Sequence, residues 1–336
     1  MSHSPPTQHT LSHASHDPII HQIAKILKDW SGPIHLAAHV DPDGDALGST
    51  LSLKRGLEQL GQSVTLAMKV PRYLSFLCQA QEILDEAVAL APNTLLVLLD
   101  VSDKNRIWGA DLSEAGYVIN IDHHGSNDSF GDLAWVDSNI AAAAQMSKRL
   151  LKALNITWTQ AIATPCLTGI LTDTGFLRFG NTDKTVLHDV AELLDYGVLY
   201  TELTDRLQWR HPDYYRMLGL VMSTVSFPLE GKVAMVEMTE AMRQAIGETD
   251  DDSSDYVGQI RYAEGSYIAI FFREKGEDVK VSVRSRGDVS AQAICSSLGG
   301  GGHHAAAGIT LRQTSLDRAK EMVLEAAKKE LERHQL

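Results

Sequence analysis

Three apolar runs in this chain end on acidic or imidazole side chains, and no other feature restricts its fold as much. Ile34-His35-Leu36-Ala37-Ala38 runs into His39 and the turn Val40-Asp41-Pro42-Asp43-Gly44-Asp45. Thr94-Leu95-Leu96-Val97-Leu98-Leu99 ends on Asp100, and Tyr117-Val118-Ile119-Asn120-Ile121 ends on Asp122-His123-His124-Gly125. Near-continuous aliphatic runs of this length mark strands buried on both faces, as in a parallel sheet. In an open α/β sheet the carboxyl ends of the strands share one edge, where ligands collect. The expected fold class is therefore α/β, with a parallel sheet carrying helices on both faces and polar groups gathered at one sheet edge.

Helical periodicity fills the intervals. It predicts helices over Pro18–Trp30, over Ala46–Leu60 closed by Gly61, over Ile140–Leu154, over Thr159–Leu171 and over Asp183–Tyr196, with a further strand at Ser63–Met68. Asp173 follows the second of the two later apolar helices. At 336 residues and 44% hydrophobic side chains the chain exceeds the usual size of one core, so two domains are expected. The boundaries read as a disordered tail over 1–17, a first domain over 18–197, a helical connection over 198–226 and a smaller α/β domain over 227–336. In the last of these, a hairpin is expected with Gly231-Lys232 between Phe227-Pro228-Leu229 and Val233–Val236. Strands at Tyr267–Phe272 and Val279–Arg284 follow, then a helix at Asp288–Leu298, the glycine run from Gly299, and a closing helix at Ser315–His334.

Each polar group has an ordinary explanation when taken alone. An Asp-Pro-Asp-Gly-Asp turn is a common acidic loop, Asp100 could pair with Lys104 or Arg106, and Asp173 could cap a helix. Together they differ, because a carboxylate directly after five aliphatics is costly to bury unless it is solvated, paired or metal-bound. His39, Asp43 and Asp45 stand at i, i+4 and i+6 across a turn that can face one cavity. His123 and His124 are adjacent and point apart, so one can ligate a metal while the other faces a substrate. Histidines at 3, 9, 13 and 16 have no spacing that fixes a geometry.

Composition removes several function classes. No apolar run approaches the ~18 residues needed to span a bilayer, and the N-terminus lacks a signal-peptide core, so a cytoplasmic location and no membrane partner are expected. Three separated cysteines suggest neither a disulfide framework nor a thiolate metal site. A net charge of −13 argues against binding long duplex DNA. Two divalent cations would cancel the charge of Asp43, Asp45, Asp100 and Asp173, so the loaded site could accept a small anion.

These residues, in this order, resemble the four motifs of the DHH phosphoesterase superfamily, and Arg284-Ser285-Arg286 with the Gly299–His303 run is similar to its DHHA1 substrate-binding domain. Among its branches the chain most resembles the nanoRNase type. The resemblance implies that His39 and Asp43 bind one metal, that Asp45, His123 and Asp173 bind a second, and that Asp100 bridges both. Two divalent cations are implied, Mn²⁺ first and Mg²⁺ or Co²⁺ as alternatives. Asp100 and His124 are the implied catalytic groups, His124 as phosphate contact or proton donor, with Asp41 and Asp122 orienting ligands. Arg284, Ser285, Arg286, Gly300, Gly301, Gly302 and His303 are the implied substrate contacts, in a cleft between the domains. The implied activity is hydrolysis of short oligoribonucleotides to 5′ mononucleotides and dephosphorylation of 3′-phosphoadenosine 5′-phosphate (pAp) by a water that two metals activate. The competing expectations are a cyclic or linear dinucleotide (pApA) phosphodiesterase and a non-catalytic nucleotide sensor, and a homodimer is left open. One departure stands out: where family members carry Ser, Thr and Glu after the third motif, this chain has Ile140-Ala141-Ala142-Ala143-Ala144-Gln145.

Overall fold

The computed structural model describes residues 18–247 and 256–336, which divide into two compact units between Gln208 and Trp209. The histidine-containing tail over 1–17 lies outside the described residues.

Unit one runs through α1 (Pro18–Asp29), β1 (Ile34–Ala37), α2 (Gly44–Gln59), β2 (Val64–Leu66), β3 (Leu95–Leu99), β4 (Tyr117–Asp122), β5 (Leu133–Val136), α3 (Ala143–Ala153), α4 (Gln160–Asp173), α5 (Lys184–Asp195) and α6 (Tyr200–Gln208). Its five strands are parallel, in the order β2-β1-β3-β4-β5. The chain thus moves to one side of β1 and then crosses to the other, which makes β1/β3 a topological switch point with both strands' carboxyl ends beside it. The edge strand β5, only four residues long, carries too short a pattern to be read from sequence.

Strand alternation sorts the two faces. Ile34, Leu36, Leu95, Val97, Leu99, Ile119 and Ile121 join a core built with α1 to α5. Ala37, Leu96, Leu98 and Val118 face a smaller cluster with Ile107, Leu112 and Phe130. The expectation of helices on both faces is therefore corrected: the second face is covered by irregular chain with two 3-10 turns, Lys104–Arg106 and Leu112–Glu114. Asp103 and Asp111 each accept a hydrogen bond from the backbone N–H two residues on, closing a tight turn where a helix would otherwise begin.

A stripe of small residues brings the helices together. Gly44, Gly48, Ser52 and Gly56 recur every fourth position along one side of α2. A Cβ at Gly48 would stand 2.3 Å from the Pro165 carbonyl oxygen, one at Gly44 would stand 2.4 Å from Thr172 Oγ1, and one at Gly56 would stand 2.2 Å from Leu151. On α4, Gly169 faces back, with space for no Cβ between Ala144 and Asp45. Backbone approach this close sets the first turn of α2 beside the last turn of α4. Pro165, inside α4, deprives the Ala161 carbonyl of its helical donor. Arg55 Nη1 replaces that donor at 2.6 Å, and Arg55 is itself gripped by both oxygens of Glu82 at 2.7 Å.

Unit two holds α7 (Pro212–Met222), β6 (Val233–Met238), α8 (Glu240–Ile246), α9 (Tyr256–Ile260), β7 (Ile268–Lys275), β8 (Asp278–Ser285), α10 (Ala291–Ser296), β9 (Gly301–His303), β10 (Ala306–Leu311) and α11 (Leu316–Arg333). The sheet order is β6-β7-β8-β10-β9, parallel at β6/β7 and antiparallel elsewhere. The helical stretch expected over 198–226 is two helices: Leu203 and Leu207 of α6 pack in the first unit's core, and Tyr214, Met217 and Val221 of α7 in the second's. The expected hairpin at Phe227–Leu229 does not form. Pro228 cannot donate to a ladder, Leu229 and Glu230 take left-handed backbone (φ 52° and 58°), and a single bridge joins Ser226 to Met235. The glycine run is also more ordered than a loop, since Gly301–His303 is a strand paired with β10.

Replacing a helical glycine by alanine usually stabilises by up to ~1 kcal/mol, and at Gly219 of α7, with open space for a Cβ, that gain is expected. Gly48→Ala should instead cost about 1–3 kcal/mol by overpacking, read as opposite shifts of the two variants in denaturant unfolding.

Candidate metal centre

The carboxyl ends of β1, β3 and β4 and the facing ends of α2 and α4 supply the polar groups. His39 follows β1, where an isolated bridge to Ile107 extends the strand's direction. Asp100 follows β3 in left-handed backbone (φ 61°), a conformation that costs energy for a side-chain-bearing residue and marks a position under constraint. Asp43 caps α2, one carboxylate oxygen accepting from the N–H groups of Asp45 and Ala46. Asp45 lies in the first turn of α2 and Asp173 is the last residue of α4.

Two donor clusters, His39 with Asp43 and Asp100, and Asp45 with His123 and Asp173, stand side by side, and a third grouping of Asp100 with His123 and His124 overlaps both. His39 Nε2 lies 3.4 Å from Asp100 Oδ2, and His123 Nε2 lies 3.4 Å from Asp100 Oδ1 and 3.7 Å from both Asp45 Oδ2 and Asp173 Oδ2. These separations are long for hydrogen bonds. They suit donors that share a cation, since bonds of ~2.1 Å at 90–110° leave ligand atoms ~3.0–3.4 Å apart. Asp100 turns one oxygen toward each cluster, and its Oδ1 is buried with no hydrogen-bond partner, the kind of orphan that a cation satisfies. The donor set and the orphaned oxygen both fit divalent metal.

Second-layer contacts fix the donors. The Nδ1 atoms of His39 and His123 face the carbonyls of Val40 (2.7 Å) and Ile140 (3.3 Å), which leaves each Nε2 for the centre. His124 differs. Its Nδ1 is bonded to Asp122 Oδ1 at 2.7 Å, so although it lies 3.4 Å from Asp100, that nitrogen is already committed and Nε2 turns elsewhere. Asp122 is fully buried, and its other oxygen accepts from Asn127 Nδ2 at 2.7 Å. Asn127 also reaches Asn120 and the Val101 carbonyl, tying the loop after Asp100 to the end of β4. Asp41 is exposed, in left-handed backbone (φ 56°), and stands apart from this network. The departure at 140–145 is resolved by the backbone: the N–H groups of Ala143 and Ala144, at the N-terminus of α3, donate to the two oxygens of Asp45 at 2.6 and 2.8 Å. Hydroxyl side chains are not needed there. Gln145 accepts from the Ala141 N–H and donates to Asp189, steadying the same turn.

Charge balance follows from this crowding. Burial pushes Asp45 up to about 8, with Asp100 adding to the shift, and pushes Asp173 well above the carboxylate range, with Asp45 adding. Burial would lower the histidines, yet the neighbouring carboxylates prevail: Asp100 and Asp43 hold His39 at about 9, and Asp100, Asp173 and Asp45 hold His123 at about 11. Asp100 is held low, its burial outweighed by His123 and His39. His124 is raised, burial being overcome by Asp122 and Asp100.

Of the residues expected to bind substrate in unit two, Arg284 and His303 share one face of the sheet, being cross-strand neighbours of Ala306. Ser285 does not join them. It is buried on the opposite face, its hydroxyl donating to the His304 carbonyl and accepting from the Ala291 N–H. Arg286 lies past the end of β8 with its guanidinium donating to the Arg261 carbonyl. Gly300 and Gly302 are required for packing, because a Cβ would stand 2.4 Å from the Gly308 oxygen or 2.6 Å from the Ala306 oxygen, whereas Gly301 faces open space. Asn127 and the amides of Ala143 and Ala144 escaped sequence reading. Asn120, a polar residue inside an apolar strand, was the available signal for the first, and backbone groups give none.

Residues 33–170 match the DHH family N-terminal domain, and residues 231–331 match the DHHA1 domain. The chain is 50% identical, over 93% of its length and 94% of the relative's, to a Thermus thermophilus protein named bifunctional oligoribonuclease and PAP phosphatase NrnA. Among solved structures it resembles an exopolyphosphatase-related protein from Bacteroides fragilis, with a TM-score of 0.83, 22% identity and coverage of 93% of this chain and 96% of the other. It also resembles RecJ of Thermus thermophilus in complex with Mn²⁺, with a TM-score of 0.56, 18% identity and coverage of 92% and 55%.

A histidine must be neutral to bind metal, so cation uptake should expel protons from His39 and His123. Groups whose folded pKa is raised lend stability below their unfolded pKa and lose it as pH climbs through the folded value. For His39 that window runs from 6.5 to about 9, and for Asp45 from 3.8 to about 8, so the metal-stripped protein should lose stability from about pH 4 upward through Asp45, and more steeply above about pH 6.5 as His39 joins. Thermal melts should show a larger Mn²⁺-induced rise in Tm at about pH 8.5 than at 6.5. Asn127→Ala, by loosening Asp122 and His124, should lower kcat about 10- to 100-fold while leaving Mn²⁺ affinity, measured by calorimetry, within a few-fold.

Proposed function

The chain belongs to the DHH phosphoesterase family, and from that premise we propose that it removes 5′ mononucleotides from short oligoribonucleotides and dephosphorylates pAp. It is a hydrolase of phosphoester bonds. The observation that carries the proposal is Asp100 with an oxygen toward each of two His/Asp clusters at the switch point of the sheet. The activity for which the half-identical Thermus relative is named supports the substrate class.

His39 and Asp43 would hold one cation, Asp45, His123 and Asp173 a second, and Asp100 would link them. Imidazole donors beside carboxylates favour Mn²⁺ over Mg²⁺, which prefers oxygen alone. Bound there, the cations would stabilise charge on the transferring phosphoryl oxygens and acidify a water enough for it to attack at neutral pH. The chain's own groups do the rest. The amides of Ala143 and Ala144 hold the Asp45 carboxylate in place. His124, its pKa raised by Asp122 and Asp100 against the effect of burial, donates a proton from Nε2 to the leaving oxygen as the phosphorus–oxygen bond breaks. Arg284 supplies paired donors to a substrate phosphate and His303 a further donor.

The test is a panel of pAp, di- to pentanucleotides and cyclic diadenylate incubated with Mn²⁺-loaded protein. Turnover of pAp and the short linear chains is expected. Loss of both, or a clear preference for the cyclic substrate, would sink the assignment. Asp100→Asn should lower kcat by at least about 10³-fold with the far-UV spectrum unchanged.

A further inference from the structure

The sheet face that carries Arg284 holds further polar side chains that the chemistry above leaves unused. Strand β8 alternates: Val279, Val281 and Val283 are buried with α10 and α11, and Lys280, Ser282 and Arg284 stand on the opposite face. Over β6 and β7 that opposite face is covered, with Ala234, Val236, Ala269 and Phe271 lying under Tyr214, Tyr256, Val257 and Ile260. Among the described residues this cover reaches β8 and thins beyond it. Lys280, Thr310, Gly301 and His303 are exposed, and Ser282, Arg284, Ala306 and Gly308 are half-buried.

Register places these residues in rows. Arg284 is opposite Ala306, which is opposite His303; Ser282 is opposite Gly308, which is opposite Gly301; Lys280 is opposite Thr310. The floor between the rows is therefore alanine and glycine, and a Cβ added at Gly301 would meet nothing within 4 Å. A donor-bearing column with a shallow, small-residue floor beside it has room for a phosphodiester backbone lying against the sheet. Outward side chains on a strand recur every ~7 Å, which is about the reach of one unstacked nucleotide of a single strand.

Resting on the oligoribonuclease reading above, we infer that β8 is a phosphate track. Arg284 with His303 takes one phosphate, Ser282 with Lys280 takes the next along the strand, and Lys280 sets how strongly chain length is favoured. A hydroxyl and a flexible ammonium suit this second position, which needs attraction without the fixed geometry of a reacting phosphate. Because pAp carries two phosphates in all, one of them the phosphate to be cleaved, placing the other on Arg284 and His303 leaves none for Lys280.

The test compares kcat/KM for pAp and for a tetranucleotide in wild type, Lys280→Ala, Lys280→Arg and Ser282→Ala, all loaded with Mn²⁺, at two salt concentrations. Lys280 is exposed, so its substitutions leave the fold intact, and a far-UV spectrum checks the half-buried Ser282→Ala variant. Lys280→Ala should lower the tetranucleotide-to-pAp ratio about tenfold, mainly through KM, and flatten the salt dependence of the tetranucleotide KM. Lys280→Arg should recover most of the ratio. An unchanged ratio, or equal losses on both substrates, would falsify the track while leaving the enzymatic assignment standing. Wild-type protein that turns over neither substrate would remove the assignment itself.

Discussion

Carboxylates crowded into a buried site repel one another, and the first unit is organised around containing that repulsion. Asp45 and Asp100 are almost fully buried, and Asp173 lies beside them. Each negative charge is met by something that the fold brings to it: imidazoles at the ends of β1 and β4, and the amides at the start of α3. Helix N-termini favour anions, so the α3 amides help keep Asp45 ionisable where burial alone would neutralise it. A divalent cation held among these groups would relieve the crowding more completely.

Geometry of this kind demands helices that come closer than ordinary side chains permit. The glycines of α2 and Gly169 of α4 allow it, with Arg55 occupying the carbonyl that Pro165 leaves unpaired. Packing and function are thus the same constraint in this unit: the spacing that buries apolar surface between α2 and α4 also brings Asp45 within reach of His123 and Asp173. The second unit is different in kind. Its sheet buries one face fully and the other only in part, and the exposed remainder is where its polar side chains stand in rows.

Much of this was legible in the sequence because the chemistry sits in side chains at strand ends, where aliphatic runs point to it. His39, Asp100 and His123 could be placed at strand ends from pattern alone, and the imidazole and carboxylate groups expected there lie close to one another. Other features were hidden for physical reasons. The face of the first sheet that lacks helices is covered by turns whose Asp caps look like helix starts. Ser285 sits in the Arg-Ser-Arg run, yet strand alternation turns it inward. The glycine run is implied as a set of substrate contacts, whereas Gly300 and Gly302 are small because a neighbouring strand presses against them. The amides that hold Asp45 leave no trace in residue identity.

That last point bears on how the protein tolerates change. Residues 141–144 are already alanine, so an alanine scan would pass over them and record a silent stretch at the heart of the site. Their contribution to Asp45 is carried by main-chain atoms that every amino acid except proline possesses, while the fully buried methyl groups of Ala143 and Ala144, the latter set against Gly169, leave no room for a larger side chain. What the site uses there is a position of backbone in space, which the letters of the sequence do not display.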